Sequence, residues 1–227
     1  MVKLYKTKDW ARATIQGIKP RNKDLIYMVE ADNITKLITY LKAKDAKILK
    51  TSILDATVKA EFKGQVVDFT LCRDSTNESI TLKKWLTLQA FTLETVAIDE
   101  EGTIIDLFGG RDDISDELIT CVTEVTTCFT KKPLHLLRAI KYHILLGYDL
   151  DTSIKIALRL KTLLNGLANK VSPAEIEVEL RECFHKKTLE TLECLQQFSE
   201  LRNAIFGGKH KLKLNFYATH NPRRDAS

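Results

Sequence analysis

The chain has 227 residues, of which 44% are apolar and 29% are charged. A chain of this length and apolar content can bury a hydrophobic core, which excludes a mainly disordered protein. The longest apolar runs, near Ile53 and Ile144, are far shorter than the roughly 20 residues that span a bilayer. The sequence therefore predicts a soluble globular protein with no membrane partner.

The net charge is +5, and the charges are unevenly distributed. Residues 131–161 contain seven Lys or Arg against two acids, whereas residues 100–117 contain seven acids against one Arg. A basic second half favours a polyanionic partner.

The five cysteines are an odd number without a Cys-x-x-Cys pair, which argues against both a disulfide framework and a zinc site. The first ten residues lack the apolar region of a signal peptide, and they include Asp9 where transit peptides avoid acids. We expect reduced thiols and a cytoplasmic location, with an organellar matrix as the alternative.

The first half of the chain predicts strands with interspersed helices. A short strand over 24–29 precedes a helix whose N-cap is Asn33. Two hairpins follow, one over 57–71 around Gly64 and one over 95–107 around Gly102. Between the hairpins, residues 82–91 predict a helix.

After Phe129 the sequence predicts helices alone. Pro133 starts a helix that Gly147 ends, and Asp151 caps a second helix that ends at residues 165–166. Ser172 starts a third helix, and a fourth spans residues 187–201. The alternating basic tail after residue 208 predicts a strand or a flexible arm.

Five strings of residues match the pattern of a known family: KDLIYMVEADNITKLITYL at 23–41, VVDFTLCR at 66–73, FTLETVAID at 91–99, GTIIDLFGGRDDI at 102–114 and KKPLHLLRAIKYHILLGYDLD at 131–151. They resemble the head and neck domains of the class II nucleotidyltransferases, which are the tRNA CCA-adding enzymes and bacterial poly(A) polymerases. The resemblance implies an α+β fold, with a small mixed sheet and flanking helices followed by an all-helical neck. It implies a head domain over 1–125, a neck over 126–205 and a basic tail over 206–227.

The same resemblance implies phosphoryl transfer from a nucleoside triphosphate to an RNA 3′ hydroxyl, with two cations held by three carboxylates. The family's Asp-x-Asp reads Asp24-Leu25-Ile26 here, and its third carboxylate matches Asp68. An isoleucine cannot ligate a hard cation. We therefore expect Asp24 and Asp68 to be remnants of the catalytic and metal site, with no cofactor bound unless residual activity retains Mg²⁺.

Other family motifs are lost as well. By the resemblance, the Gly-Gly-x-Val-Arg-Asp turn lets the backbone approach the triphosphate; it matches residues 8–13, where only Arg12 remains. The Arg-Arg-Asp-x-x-x-Asn segment, to which the resemblance assigns triphosphate and ribose contacts, matches residues 88–94 and retains none of its four polar residues. The Glu-Asp that precedes Pro-Leu has become Lys131-Lys132. Asp106 is interpreted as a structural residue that satisfies a turn. The sequence retains what the fold needs and loses what the reaction needs, which indicates a pseudoenzyme.

We therefore expect a catalytically inactive tRNA nucleotidyltransferase-like or poly(A) polymerase-like protein that binds RNA or assembles a ribonucleoprotein. Its expected partners are tRNA or rRNA, with other protein subunits as a second kind. The expected RNA-binding residues are Lys131, Lys132, His135, Arg138 and Lys141 in the neck, and Lys211 and Lys213 in the tail. The alternative for these cations is a solvated helix face and an unstructured terminus.

Two other functions stay open from the sequence. One is an active minimal nucleotidyltransferase that adds AMP or CMP to RNA 3′ ends, with a third metal ligand chosen from Glu30, Asp32 and Asp55. The other is a protein-interaction module, in which the decayed cleft has become an apolar docking surface around Ile26, Leu88 and Phe91.

Overall fold

The computed structural model describes residues 1–20 and 25–207. The described chain divides into two compact units, the first comprising Met1–Cys128 with Gly147–Ile154, and the second comprising Phe129–Leu146 with residues 155–207. Asp24, Lys211 and Lys213 lie outside the described residues, as does almost all of the tail predicted over 206–227. The domain boundaries predicted from the sequence stay predictions.

The first unit is built on strands that form one large sheet and one small one. The strands are β1 (Lys3–Thr7), β2 (Ile26–Glu30), β3 (Lys47–Ser52), β4 (Thr57–Phe62), β5 (Gln65–Leu71), β6 (Val96–Ile98), β7 (Ile104–Asp106), β8 (Leu118–Ile119) and β9 (Asp149–Leu150). The large sheet has the order β3-β4-β5-β2-β1-β6-β7, in which β2 and β5 are parallel and the other neighbours antiparallel. Strands β8 and β9 pair in parallel.

Helices complete both units. Those of the first unit are α1 (Asp9–Ile15), α2 (Ile34–Ala43), α3 (Leu82–Leu86) and α4 (Gly110–Ser115), and those that cross between units along the chain are α5 (Val125–Lys131) and α7 (Thr152–Ala157). Those of the second unit are α6 (Leu134–Leu146), α8 (Lys161–Lys170), α9 (Pro173–Lys186), α10 (Thr188–Gln197) and α11 (Ser199–Phe206). The predicted α+β class, a mixed sheet with flanking helices followed by a helical region, is confirmed.

Alternation along the strands sorts side chains between the two faces of the large sheet. One face is a buried aromatic and aliphatic cluster in which Tyr27 stacks on Phe69 at a centroid distance of 5.2 Å. Leu37 and Leu41 of α2 are fully buried in the same cluster. Asn33 caps this helix, because its side chain accepts a hydrogen bond from the amide of Lys36, as the sequence predicts.

Three helix predictions are wrong in their extent. The helix predicted over 82–91 ends at Leu86, because the chain turns there and Phe91 forms a bridge with Cys121. The helix predicted from Asp151 to residue 166 is two helices, α7 and α8, separated by an extended Leu160. The predicted fourth helix breaks at Phe198, which is buried. At Phe198, burial of the side chain outweighed a continuous helical pattern.

The sequence did not predict β1 and α1. It also did not predict the short strand β9, because the residues after Phe129 were expected to be helical throughout. A strand of two residues is too short to show an alternation of apolar and polar residues. Among residues 1–20 and 25–207, none of the helices combines the length and the apolar character that crossing a bilayer requires.

Candidate functional site

The face of the large sheet opposite the aromatic cluster carries Asp68, the third carboxylate of the expected catalytic set. The parallel register of β2 and β5 sets Ile26 directly beside Asp68. The position that the family resemblance assigns to a second aspartate is therefore adjacent to Asp68, as the chemistry would require. Ile26 fills it with a side chain that packs against an apolar cluster including Met28 and Leu86.

The antiparallel register of β4 and β5 places a lysine on the other side of Asp68. Lys59 is the cross-strand partner of Asp68, and its Nζ lies 3.2 Å from Asp68 Oδ2. The ammonium group thus supplies the positive charge beside this carboxylate. Sequence reasoning missed this pair, although the signal was there: a tight turn at Lys63-Gly64 sets residue 62 opposite 65, and hence 59 opposite 68.

Asp68 also lines a cavity of about 190 Å³ on this face, together with five other polar residues: Lys50, Ser52, Asp55, Thr57 and Lys59. Asp55 is partly engaged in the turn between β3 and β4, where its carboxylate accepts a hydrogen bond from Ser52 Oγ at 2.6 Å. The cavity therefore combines two ammonium groups with two carboxylates, and each carboxylate has a partner from the chain itself.

These residues do not fit a hard divalent cation. Mg²⁺ needs several oxygen ligands in octahedral geometry, whereas Asp68 has an isoleucine on one side and a paired lysine on the other. Across the described ranges, no three His, Cys, Asp or Glu side chains are grouped so that they could hold a metal ion.

The two other candidates for a third metal ligand, Glu30 and Asp32, have hydrogen-bond or ion-pair partners elsewhere in the chain. Glu30 accepts hydrogen bonds from Tyr5 Oη, at 3.2 Å, and from the amide of Leu82. Asp32 forms an ion pair with Lys36, one turn along the chain. Of the three candidates, Asp55 is the one that shares a cavity with Asp68.

At the start of the turn at residues 8–13, a lysine has a backbone conformation that is typical of glycine. Lys8 has φ 53° and ψ −125°, a conformation that only glycine adopts without strain. Asp9, at the family's second glycine position, forms an ion pair with Arg12. Burial alone would lower the pKa of the Arg12 guanidinium, but the hydrogen bond and charge of Asp9 raise it above its ordinary value. The one matching residue of this motif is therefore buried and neutralised by its neighbour.

Residues 88–94 form a structural turn. Phe91 is fully buried, and its amide donates a hydrogen bond to Glu94 Oε2 at 3.2 Å. Leu88 is exposed and Ile26 is partly buried. The apolar docking surface predicted around Ile26, Leu88 and Phe91 is wrong at Phe91, because this side chain belongs to the core.

Asp106 has the structural role that the sequence predicts. Its carboxylate accepts hydrogen bonds from the amides of Phe108, Gly110 and Arg111 at 3.2, 3.0 and 2.9 Å. It thereby satisfies free amides at the start of α4. A Cβ on Gly110 would lie 2.1 Å from the carbonyl oxygen of Thr92, so this position requires glycine.

The candidate RNA-binding residues of α6 and its approach have different environments. Lys131 and Lys132 are exposed, whereas His135 is buried. Arg138 Nη2 lies 3.3 Å from Glu179 Oε1, and Lys141 Nζ lies 3.5 Å from Glu179 Oε2. The geometry therefore leaves Lys131 and Lys132 the most accessible to a phosphate, and the RNA-binding role of the whole set stays a prediction.

Lys141 also pairs with a second glutamate of α9, since its Nζ lies 3.3 Å from Glu182 Oε2. The cations of α6 and the acids of α9 thus form an ion-pair network inside the second unit. The sequence did not predict this network, because residues about 40 positions apart carry no mutual signal in a single sequence.

Comparisons with known proteins agree with the resemblance seen in the sequence. The chain is 36% identical over 106 residues to the CCA-adding enzyme of Geobacillus thermodenitrificans, covering 45% of this chain and 24% of that enzyme. It shares its fold with the Bacillus stearothermophilus CCA-adding enzyme in complex with CTP, with a TM-score of 0.75 and 23% identity over 93% of this chain and 52% of the other.

A third similar protein is the Thermotoga maritima CCA-adding enzyme complexed with tRNA, with a TM-score of 0.68 and 21% identity over 91% of this chain and 48% of the other. No family model matches the chain. The chain spans about a quarter of the length of the curated relative and about half of the two solved chains. The chain is therefore similar in sequence to CCA-adding enzymes over part of its length, and it shares their fold over most of its length.

Proposed function

We propose that this protein binds RNA on a nucleotidyltransferase scaffold and does not transfer nucleotides. The observation that carries the proposal is the environment of Asp68, which has Ile26 as its parallel neighbour and Lys59 as its ion-pair partner. An apolar side chain and an internal ammonium group thus occupy the two sides of this carboxylate. Both features work against binding a catalytic cation.

The expected loss of rate is large. A metal clamp contributes several kcal/mol of transition-state stabilisation, and a loss of about 4 kcal/mol slows a reaction roughly a thousandfold. The turn at residues 8–13 has neither glycine of the family motif, and Asp9 neutralises Arg12, the one residue that matches it. Two independent parts of the reaction's machinery are therefore compromised on one scaffold.

Support for RNA as the partner comes from the similar proteins and from exposed cations. One structural neighbour is described as complexed with tRNA. In this chain, Lys131 and Lys132 are exposed where the family resemblance expects two acids. Exchanging acids for lysines favours phosphate contacts, which give salt-dependent affinity with little sequence preference.

An active minimal nucleotidyltransferase is the second candidate. It is favoured by one observation, namely that Asp55 lines the same cavity as Asp68. This function would require Lys59 to leave Asp68 when a metal binds. The Lys59 pair is partly exposed, so the ion pair itself is a modest barrier.

A metal-binding experiment separates the two candidates. We expect no saturable Mn²⁺ binding by the wild-type chain at sub-millimolar concentration, measured by electron paramagnetic resonance of free Mn²⁺. The variant Ile26→Asp with Lys59→Ala restores a carboxylate and removes the competing ammonium, and we expect it to bind Mn²⁺. Wild-type binding that Asp68→Ala abolishes would overturn the inactive interpretation.

RNA binding needs a separate measurement. We expect the wild-type chain to retard both tRNA and a generic single-stranded RNA at low salt, with affinity falling steeply as salt rises. The variant Lys131→Gln with Lys132→Gln should bind more weakly to both. Unchanged migration of both RNAs with micromolar protein at low salt would refute RNA binding.

A further inference from the structure

We propose that the end of α2 and the edge strand β3 form a second RNA-binding surface, in which lysines bind backbone phosphates and the β3–β4 turn contacts an unstacked base. We call this surface the α2–β3 corner and define it by Lys42, Lys44, Lys47 and Lys50. The inference rests on the proposed function, since it takes RNA as the partner. It assigns to the first unit a share in binding that neither the sequence motifs nor the comparisons assign.

The α2–β3 corner concentrates positive charge on exposed side chains. All four lysines lie within nine residues and are exposed, and Asp45 is the one acid among them. Within the described residues, none of the four is in an ion pair with a carboxylate; Lys44 instead lies over the Tyr40 ring at 5.9 Å. Lys42 and Lys44 also suit the negative end of the α2 dipole, but that effect gives no reason for lysines on β3.

A β-bulge brings the two strand lysines to one face. Residues three apart on a regular strand point to opposite faces, but the register of β3 on β4 shifts between Ile48 and Lys50. Lys47 is opposite Glu61 and Lys50 is opposite Lys59, both on the open face of the sheet. The bulge therefore aligns Lys47 and Lys50 about 10 Å apart along β3, the outermost strand of the sheet among the described residues.

The pairing of Lys50 with Lys59 gives a second reason to expect an anion here. Like charges directly opposite each other on neighbouring strands are destabilising. Asp68 compensates Lys59 through its ion pair, while Lys50 lines the same cavity without such a partner among the described carboxylates. A phosphate oxygen near Lys50 would offset this repulsion.

Two apolar side chains extend the surface beyond the lysines. Ile53 and Leu54 lie at the turn between β3 and β4 and are 76% and 90% exposed. Proteins that bind the minor groove of DNA insert such aliphatic side chains between bases, and an unstacked RNA base offers the same kind of apolar contact. Asp45, Asp55 and Glu61 interrupt the lysines, which suits discrete phosphates along a strand better than a continuous anionic membrane surface.

The test measures binding of fluorescently labelled tRNA and single-stranded RNA by anisotropy over a series of salt concentrations. The test variant replaces Lys42, Lys44, Lys47 and Lys50 by Gln. The matched control replaces four other exposed lysines, Lys19, Lys83, Lys84 and Lys170, by Gln. We expect the test variant to bind at least about tenfold more weakly at low salt, with a slope of log affinity against log salt smaller by about 2 to 3.

A second pair of variants isolates the apolar contact. Ile53→Ser with Leu54→Ser should weaken binding of single-stranded RNA without changing the salt slope, because it removes no charge. Val178→Ser with Leu189→Ser is the control, since these side chains are also well exposed but lie in the second unit. Circular dichroism and urea unfolding check that each variant keeps the wild-type fold.

The outcomes distinguish this inference from the proposed function. If the wild-type chain binds neither RNA, the proposed function itself fails. If the wild type binds RNA but the test variant matches its control in affinity and slope, the α2–β3 corner is refuted and RNA binding stands. Binding to vesicles of phosphatidylcholine and phosphatidylserine, lost in the test variant while RNA binding is unchanged, would also refute the corner as an RNA site.

Discussion

Two turns of the first unit differ in how well their residues suit the conformation of the backbone. In the turn from Asp106 to Gly110, two residues have a task in the fold: Asp106 accepts hydrogen bonds from three amides, and Gly110 leaves room for the carbonyl of Thr92. The turn at residues 8–13 keeps the path of a glycine-containing loop although both glycines are gone.

The difference separates what the fold requires from what the reaction requires. At Gly110 a side chain would collide with the backbone, so the residue is fixed by packing alone. At Lys8 a side chain is accommodated at the cost of strain, so the fold tolerated the loss of glycine. The fold therefore does not require glycine at position 8. The family resemblance implies that a glycine here lets the backbone approach a bound triphosphate.

The largest expected effect is at Gly110. Gly110→Ala should lower the free energy of unfolding by about 3 kcal/mol, because the new methyl group would meet the Thr92 carbonyl oxygen at 2.1 Å. Urea denaturation measures this value. Gly17→Ala is the control, where a methyl group has open space and the cost is limited to the positive φ. An equal loss of unfolding free energy at the two glycines would contradict the claim that packing against Thr92 requires glycine at position 110.

The next effect is at the ion pair of the altered turn. Asp9→Asn should cost about 2 kcal/mol, because it leaves the buried Arg12 guanidinium with an uncompensated charge. Glu177→Gln breaks the exposed pair with Arg181 and should cost well under 1 kcal/mol. If both substitutions have the same small effect, Asp9 has not become a structural partner of Arg12.

At the turn from Asp106 to Gly110, Asp106→Ala should lower the free energy of unfolding by about 1.5 kcal/mol, because three amides lose their acceptor. Asp116→Ala, at an exposed aspartate on the same connection, is the comparison and should change stability little. Thermal unfolding followed by circular dichroism gives both values. A neutral Asp106→Ala would mean that solvent satisfies these amides equally well.

The smallest effect has the opposite sign. Lys8→Gly should raise the free energy of unfolding by about 1 kcal/mol, because it relieves a backbone conformation that favours glycine. Lys3→Gly, in the extended strand β1, should instead lower it by a similar amount. A destabilising Lys8→Gly would show that the Lys8 backbone is not strained.

The sequence predicted features that local residues determine. Gly64 and Asn33 specify a turn and a helix start by their own backbone or side-chain chemistry, and both predictions are confirmed. Asp106 was assigned to a turn from its place before two glycines. The mixed sheet was expected from the family resemblance, and the two hairpins from their glycine-containing turns.

Features that depend on pairs of distant residues could not be predicted in this way. The pairing of Arg138 and Lys141 with Glu179 joins two helices, and the bridge between Phe91 and Cys121 joins two distant segments. A single sequence gives no signal for either contact. The Lys59–Asp68 pair is different, since the register of the hairpin around Gly64 determines it.

The most direct test of the central claim is incorporation of labelled ATP and CTP into a tRNA that lacks its 3′ end, with Mg²⁺ or Mn²⁺ present. The wild-type chain is compared with Asp68→Ala at equal concentration. The account predicts no incorporation above background by either protein, because Ile26 and Lys59 flank the carboxylate that a catalytic metal would need. Incorporation by the wild type that disappears in Asp68→Ala would contradict it.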